Sequence, residues 1–138
     1  MADLTVTAAS VLPGAGASII NVTWGGTITA GAAVYKDTAD GEWKLADADA
    51  SGTAGANGVG IALNGGADGQ PGRIITAGSN FVVGATVVVG ERYYVSNTAG
   101  KIMPSGDLSI GEYVTLLFIA TTSTVATVSP VVSGVAVP

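Results

Sequence analysis

Two similar stretches, "GAAVYKDTADGEWKL" (31–45) and "GERYYVSNTAGKIMP" (90–104), decide the fold and lie 59 residues apart. Each predicts a short tyrosine-bearing strand after a glycine, a turn at a second glycine, and a return strand. The tyrosine, the turn glycine and the next apolar residue align in one register, as Tyr35 with Tyr94, Gly41 with Gly100 and Trp43 with Ile102. The two stretches therefore predict two β-hairpins of one design.

The similarity continues on both sides of the hairpins. "TITAG" (27–31) aligns with "TVVVG" (86–90), and "GIA" (60–62) aligns with "FIA" (118–120) at a separation of 58. β-Branched runs that end at glycine are typical of short strands. We therefore predict an all-β fold, a small barrel or sandwich built from a duplicated β-hairpin unit around a pseudo-two-fold axis.

The chain divides into three predicted parts. Residues 1–26 form an N-terminal arm or the first strands, since "LTVTAASV" alternates before "PGAGAS" breaks the pattern. Residues 27–128 form the β domain, with pseudo-repeats over about 27–62 and 86–120. Residues 129–138 form an extended C-terminal tail in which apolar and small residues alternate. The arm has the composition of a segment that pairs either with the body of the fold or with a neighbouring subunit.

The composition indicates that a partner covers part of the surface. Of the 138 residues, 21 are glycine and 48% are hydrophobic, mostly alanine and valine. Charged residues make up 11%, whereas an ordinary soluble domain has about 25%. Because so few charges hydrate the surface poorly, we expect an oligomer or a larger assembly.

Several function classes are disfavoured by the residues that the chain lacks. It carries a net charge of −5 with five Lys and Arg and no basic cluster, which predicts no nucleic-acid partner. It has neither Cys nor His, which excludes disulfides, the usual zinc sites and His-based catalysis. The N-terminus lacks the pattern of a secretory signal. The most apolar run, "VTLLFIA" (114–120), is far shorter than the roughly 20 residues that span a bilayer, so we predict no membrane partner.

Carboxylates between residues 37 and 49 are the strongest candidates for chemistry, and their members are Asp37, Asp40, Glu42, Asp47 and Asp49. Their order does not match a calcium loop, and no second signal supports a glycosidase pair. "GANGVG" (55–60) lacks the helix and the Lys-Ser/Thr of a phosphate-binding loop. The interpretation is solvated turns and loops. We therefore predict no catalytic, cofactor-binding or metal-binding residues, and no enzymatic activity.

Two stretches of the sequence resemble stretches found in a family of virion proteins. "GIALNGGADGQPG" (60–72) and "YYVSNTAGKIMP" (93–104) resemble stretches of the capsid decoration, or cement, proteins and related head-associated proteins of tailed bacteriophages. The resemblance covers about residues 27–124. The chain departs from the pattern at "LLFIA", where Phe118 stands in place of an expected glycine.

This resemblance implies a function in the virion. Such a protein is made in the host cytoplasm, binds the major capsid protein on the outer surface of an assembled capsid, and stabilises the shell as a trimer or dimer. The alternatives are a tail, baseplate or head-fibre protein, or a non-catalytic glycan-binding β module. Apolar residues of the two terminal segments, with Tyr93, are the predicted interface: Leu4, Val6, Val11, Ile19, Ile20, Trp24, Tyr93, Val131, Val132, Val135 and Val137.

Overall fold

The computed structural model describes residues 3–48 and 59–138, and nearly all of its regular structure is β. The predicted all-β fold is confirmed. Two single-turn 3-10 helices, Ala8–Ser10 and Ser105–Asp107, accompany the strands. In the described part of the chain, no helix is long and apolar enough to span a membrane. The strands are β1 Ser18–Thr23, β2 Ala33–Lys36, β3 Trp43–Leu45, β4 Gly60–Ala62, β5 Pro71–Val82, β6 Arg92–Val95, β7 Ile102–Pro104, β8 Tyr113–Ala120 and β9 Val125–Ala136.

The strand order of the sheet is mirrored about its centre. The order is β3-β2-β4-β5-β9-β8-β6-β7, with β1 added on β5, and all pairs of strands are antiparallel. Reading outward from the β5–β9 contact, both halves follow one plan: a long strand, a partner, and a hairpin at the edge. The two halves of the sheet therefore have the equivalent topology that a duplicated unit predicts.

The two hairpins also share one register. Tyr35 lies opposite Lys44 in the first hairpin, and Tyr94 lies opposite Met103 in the second. Each of these positions is related by the offset of 59 that the sequence shows. The pair Ala33–Ile61 between neighbouring strands likewise recurs as Arg92–Ile119, with offsets of 59 and 58, as in the sequence alignment. The repeated sequence pattern therefore encodes a repeated pattern of backbone pairing.

The predicted strands at 27–31 and 86–90 are wrong as strand assignments. Both stretches are extended connections that end in a glycine of left-handed conformation, with φ of +89° at Gly31 and +82° at Gly90. Each glycine N–H donates to a carbonyl on the neighbouring strand, Gly31 to Ala62 and Gly90 to Ala120, both at 2.8 Å. The repeat therefore extends to these connections, although they are not strands.

Where β4 pairs with β5, the sheet is buried on both of its faces, whereas β1 is largely exposed. One face, with Ile61 and Ile75, belongs to the main core between the two units, where Phe81 and Phe118 also lie. The opposite face, with Ile74, belongs to a second, smaller core around Trp24. Because side chains alternate along a strand, consecutive residues such as Ile74 and Ile75 supply both cores.

An isolated β-bridge joins the end of β1 to β3. The strands β1, β5, β4, β2 and β3 therefore form a closed ring around the second core. Trp24, just after β1, forms a parallel bridge with Trp43 of β3, and Gly25 N–H donates to the Trp43 carbonyl at 2.7 Å. The N-terminal segment bonds to the equivalent edge strand of the second hairpin, β7, where the Leu4 N–H donates to the Ile102 carbonyl at 2.8 Å. Residues 3–26 are therefore built into the body, and they cover the outer edges of both hairpins.

Residues 129–136 belong to β9, and Gly134 within them is left-handed, with φ of +69°. They pair with the first half of β8, where Thr115 lies opposite Val132 and Leu116 opposite Val131. The pairing of β9 with β5 reaches only to Val128. Beyond that residue, β9 pairs with β8 alone among the described strands, while β8 itself remains paired with β6 as far as Leu116.

Candidate binding surfaces

The acidic turn between β2 and β3 is organised around one lysine. Lys44 Nζ contacts Asp37 at 2.8 Å and Asp40 at 3.0 Å. The two carboxylates also accept backbone N–H groups, Asp37 from Ala39 and Asp40 from Glu42, each at 2.9 Å. No group of three or more possible metal ligands occurs in the described ranges, and Asp49 lies outside them. The geometry is that of a turn held by its own side chains.

These hydrogen bonds hold the pKa of both carboxyls below the usual value of 3.8. The Lys44 hydrogen bond is the main cause for Asp37, and the Glu42 N–H is the main cause for Asp40, followed by Lys44. A depressed carboxyl pKa contributes stability above the unfolded-state pKa, and this stability is lost as the pH falls through the folded-state value. The turn therefore stabilises the fold at neutral pH and stops doing so in acid.

A Lys44→Met variant should show a shallower loss of thermal stability between about pH 5 and about pH 2, because the carboxyl pKa values return toward normal. Melting temperatures followed by circular dichroism across this range provide the measurement. Lys36→Met is the control, since it removes the same charge and keeps the Lys44 hydrogen bonds. An acid profile of the Lys44 variant that superimposes on that of the unmodified chain would contradict this role.

Three residues of the predicted interface lie in the interior, which corrects their assignment. Trp24 fills the second core, where the ring packs over Gly72, a residue without a side chain to displace it. Tyr93 stacks on Phe118 with ring centroids 5.1 Å apart, and its hydroxyl accepts the Val88 N–H at 2.9 Å. Val11 is buried in the main core. None of the three side chains is available to a partner of the folded chain.

The other predicted N-terminal residues lie along the surface of the body and differ in burial. Leu4 and Val6 are half-buried against the main core, and Ile19 is half-buried on β1. Ile20 alone among them is exposed. Tyr94, which follows Tyr93, points to the opposite face of β6 and is half-buried. Leu4 and Val6 line one cavity together with Leu45 and Ile102.

The predicted C-terminal residues lie along the second half of β9 and just after it. Val131 and Val135 are 55% and 63% exposed, while Val132 and Val137 are half-buried. Ile110 is 82% exposed and belongs to the same end, because the N–H of the next residue, Gly111, donates to the Val137 carbonyl at 2.9 Å. We call Ile110, Val131 and Val135 the C-terminal patch.

A second apolar surface lies at the opposite end of the β8–β9 hairpin. Val88 and Val89 are 63% and 64% exposed, and we call them the turn patch. The preceding residue, Val87, is buried, and its N–H donates to the Ser123 carbonyl in the β8–β9 turn at 2.8 Å. Together with the Tyr93 hydroxyl, this bond fixes the turn patch to the body.

Neither the turn patch nor Ile110 was predicted from the sequence, and only Ile110 stands in a sequence context that indicates an exposed side chain. In "TVVVG" three consecutive valines read as a strand, but a hairpin-like turn that ends at Gly90 leaves the last two in solvent. Ile110 stands between serine and glycine in "SIGE", a turn context in which an apolar side chain has no strand neighbour. That context could have identified Ile110 as exposed.

Comparison of the chain with protein-family models, with curated proteins and with solved structures gives no match.

Proposed function

We propose that this chain is a structural virion protein that binds the outer surface of an assembled phage capsid and stabilises it, as a decoration or cement protein. The observation that carries the proposal is a rigid β body with exposed apolar patches at both ends of one hairpin, the turn patch and the C-terminal patch. Such patches on a chain with only 11% charged residues favour adhesion to other proteins.

The turn patch is the proposed contact with the major capsid protein. Val88 and Val89 are held at a fixed position by the Tyr93 hydroxyl and by the β8–β9 turn, so binding loses little conformational entropy. A contact of this size is weak by itself. On a lattice, self-associated chains attach through several such contacts at once, and the combined binding is far tighter.

Capsid binding by a Val88→Asp/Val89→Asp variant is the test. We expect the unmodified chain to cosediment with expanded capsids that were assembled without it. The double variant should bind at least about 10-fold more weakly, because a carboxylate buried against coat protein is costly. Ile20→Asp, an exposed apolar position on β1, is the matched control and should bind normally. An unmodified chain that does not cosediment with capsids would overturn the proposal.

The burial of the aromatic side chains argues against the glycan-binding alternative. A sugar-stacking platform needs exposed aromatic faces, but Trp24, Trp43 and Tyr93 are all buried. The remaining tyrosines, Tyr35, Tyr94 and Tyr113, are half-buried and lie on different strands. A tail, baseplate or head-fibre protein has the same need for adhesive β modules, and the number of copies per particle separates that function from decoration.

A further inference from the structure

We infer that a cavity between the two units binds a small amphipathic molecule, an aliphatic chain of medium length that ends in a carboxylate. The cavity has a volume of about 330 Å³. Its apolar walls come from three separate parts of the chain: Leu4 and Val6 of the N-terminal segment, Leu45 of β3 and Ile102 of β7. Ligand sites are typically clefts of about 300–1,000 Å³ that lie between structural units. This space, which we call the junction cavity, has the size and position of such a site.

The side chains that form the walls pack on backbone and do not fill the cavity. A Cβ at Gly31 would lie 2.5 Å from Cγ1 of Val6, and a Cβ at Gly100 would lie 2.6 Å from Cδ2 of Leu45. Val6 and Leu45 therefore rest directly on glycine backbone, and the cavity beside them stays open. Because protein interiors are close-packed, the walls gain van der Waals contacts when an aliphatic chain enters such a space.

Main-chain hydrogen bonds hold the walls together before any ligand binds. The Ala33 N–H donates to the Gly100 carbonyl at 3.0 Å, and the Gly100 N–H donates to the Ala46 carbonyl at 2.8 Å. These two bonds join the turn of the second hairpin to the first unit. The N-terminal segment is added by the bond from the Leu4 N–H to the Ile102 carbonyl at 2.8 Å. A site that already exists in the free chain binds its ligand with a small loss of conformational entropy.

Lys101 gives the junction cavity one positive charge. It is the only charged residue among the described residues that line the cavity, it is exposed, and it forms no ion pair with a described carboxylate. Thr27 and Thr29 also line the cavity, and their hydroxyls are further donors for an anionic group. A single ammonium group balances the one charge of a carboxylate, whereas a phosphate group carries about −1.5 to −2. The charge and the apolar walls together therefore match an aliphatic carboxylate.

The volume of the cavity indicates the length of the aliphatic chain. At about 30 Å³ for each water molecule of the liquid, the cavity has the volume of roughly 11 waters. Octanoate is of this size, whereas a long-chain fatty acid extends into solvent and gains nothing from the walls beyond the mouth. Each methylene group that leaves water contributes favourably to binding. We therefore expect affinity to rise from hexanoate to octanoate.

This inference goes beyond capsid binding, since it concerns a small molecule and the free chain. Neither Val88 nor Val89 of the turn patch lines the junction cavity. Octanoate binding can therefore fail while capsid binding holds, and capsid binding can fail while octanoate binding holds.

Isothermal titration of octanoate into the full chain, without capsids, tests the inference. We expect a dissociation constant below about 1 mM for octanoate, and a value at least about 4-fold higher for hexanoate, which lacks two methylene groups. Lys101→Met keeps the apolar stem and removes the charge. Its dissociation constant for octanoate should rise at least about 3-fold, while that for uncharged octanol stays the same. Lys36→Met, which removes the same charge outside the cavity, is the matched control and should bind octanoate normally.

Ala30→Leu enlarges a side chain that lines the cavity and should abolish octanoate binding, with circular dichroism confirming that each variant is folded. An unmodified chain that binds no octanoate at about 10 mM would overturn the inference. A folded Ala30→Leu variant that binds octanoate as the unmodified chain does would overturn the location. If Ala30→Leu is misfolded, the exposed variant Lys101→Met decides the case, since an unchanged dissociation constant would overturn the assignment of the carboxylate to this cavity.

Discussion

Phe118→Ala should lower the free energy of unfolding by about 3–5 kcal/mol, one of the largest effects of any single substitution in this chain. Phe118 is fully buried in the main core between the two units. It stacks on Tyr93 at 5.1 Å and meets the edge of Phe81 at 6.3 Å. Truncation leaves a cavity between three strands, which the surrounding backbone, hydrogen-bonded on both sides of β8, cannot close.

The measurement is urea denaturation followed by tryptophan fluorescence, since Trp24 and Trp43 are both buried. Ile119→Ala is the matched control. It removes a side chain from the next position of the same strand, on the partly exposed face, and should cost about 1 kcal/mol or less. If both variants unfold at the same urea concentration, Phe118 does not join the two units and this account of the core is wrong.

Gly72→Ala should destabilise the chain by about 1–3 kcal/mol or more, because the second core has no room for one added methyl group. A Cβ at position 72 would lie 2.1 Å from Cε2 and 2.2 Å from Cζ2 of Trp24. The indole is rigid and fully buried, so neither partner can move aside without shifting β1 or β5. Relief of this overlap would disturb the bridge to Trp43 that closes the ring.

Gly26→Ala is the control, since a Cβ there meets nothing within 4 Å and its backbone is not left-handed. A double variant, Gly72→Ala with Trp24→Leu, makes the assignment specific. If the overlap with the indole causes the loss, the double variant should be more stable than the sum of the two single effects predicts. Strictly additive effects would contradict the contact, and so would a Gly72→Ala variant as stable as Gly26→Ala.

The hairpins were predictable from sequence because their determinants are local. The turn glycines Gly41 and Gly100 both adopt left-handed φ, +75° and +78°, which few other residues tolerate. A fixed turn sets the register of its strands, so the alignment of Tyr35 with Tyr94 carried directly into backbone pairing. Sequence similarity and structural equivalence coincide here for a physical reason.

The boundaries between strands and extended connecting segments were harder to predict, because β-branched residues favour any extended backbone. Residues 86–90 have the composition of a strand, yet the Gly90 N–H donates to β8, the Val87 N–H donates to the β8–β9 turn, and the Val88 N–H donates to a tyrosine hydroxyl. Whether a partner strand lies alongside is decided by the rest of the chain. The pattern of one segment contains no information on that point.

The predicted interface failed at Trp24 and Tyr93 for a related reason. A large aromatic residue near a terminus or at a strand centre has to be buried, but its sequence does not show whether its own chain or a partner covers it. Trp24 is covered by its own chain, because Gly72, 48 positions away, has no side chain and leaves room for the indole. Val131 and Val135 are exposed, and their contact with a partner stays a prediction.

Phe118 illustrates how the duplicated units have diverged. It occupies the position of Gly60 in the first unit, where an added Cβ would come within 3.0 Å of Ile74 and of the Ile75 carbonyl. The first unit packs backbone closely at this point, whereas the second inserts the aromatic ring that fills the space between the units. The departure of "LLFIA" from the expected glycine is therefore a packing feature of the shared core.

The proposal that this chain decorates a capsid is tested most directly by its copy number in purified native particles, measured by quantitative mass spectrometry against the major capsid protein. The account predicts one copy per coat subunit or a simple fraction of that number, as repeated binding to a lattice requires. A few copies per particle would place the chain in a tail or at a vertex, and none would remove it from the virion. Either result would contradict the proposed function.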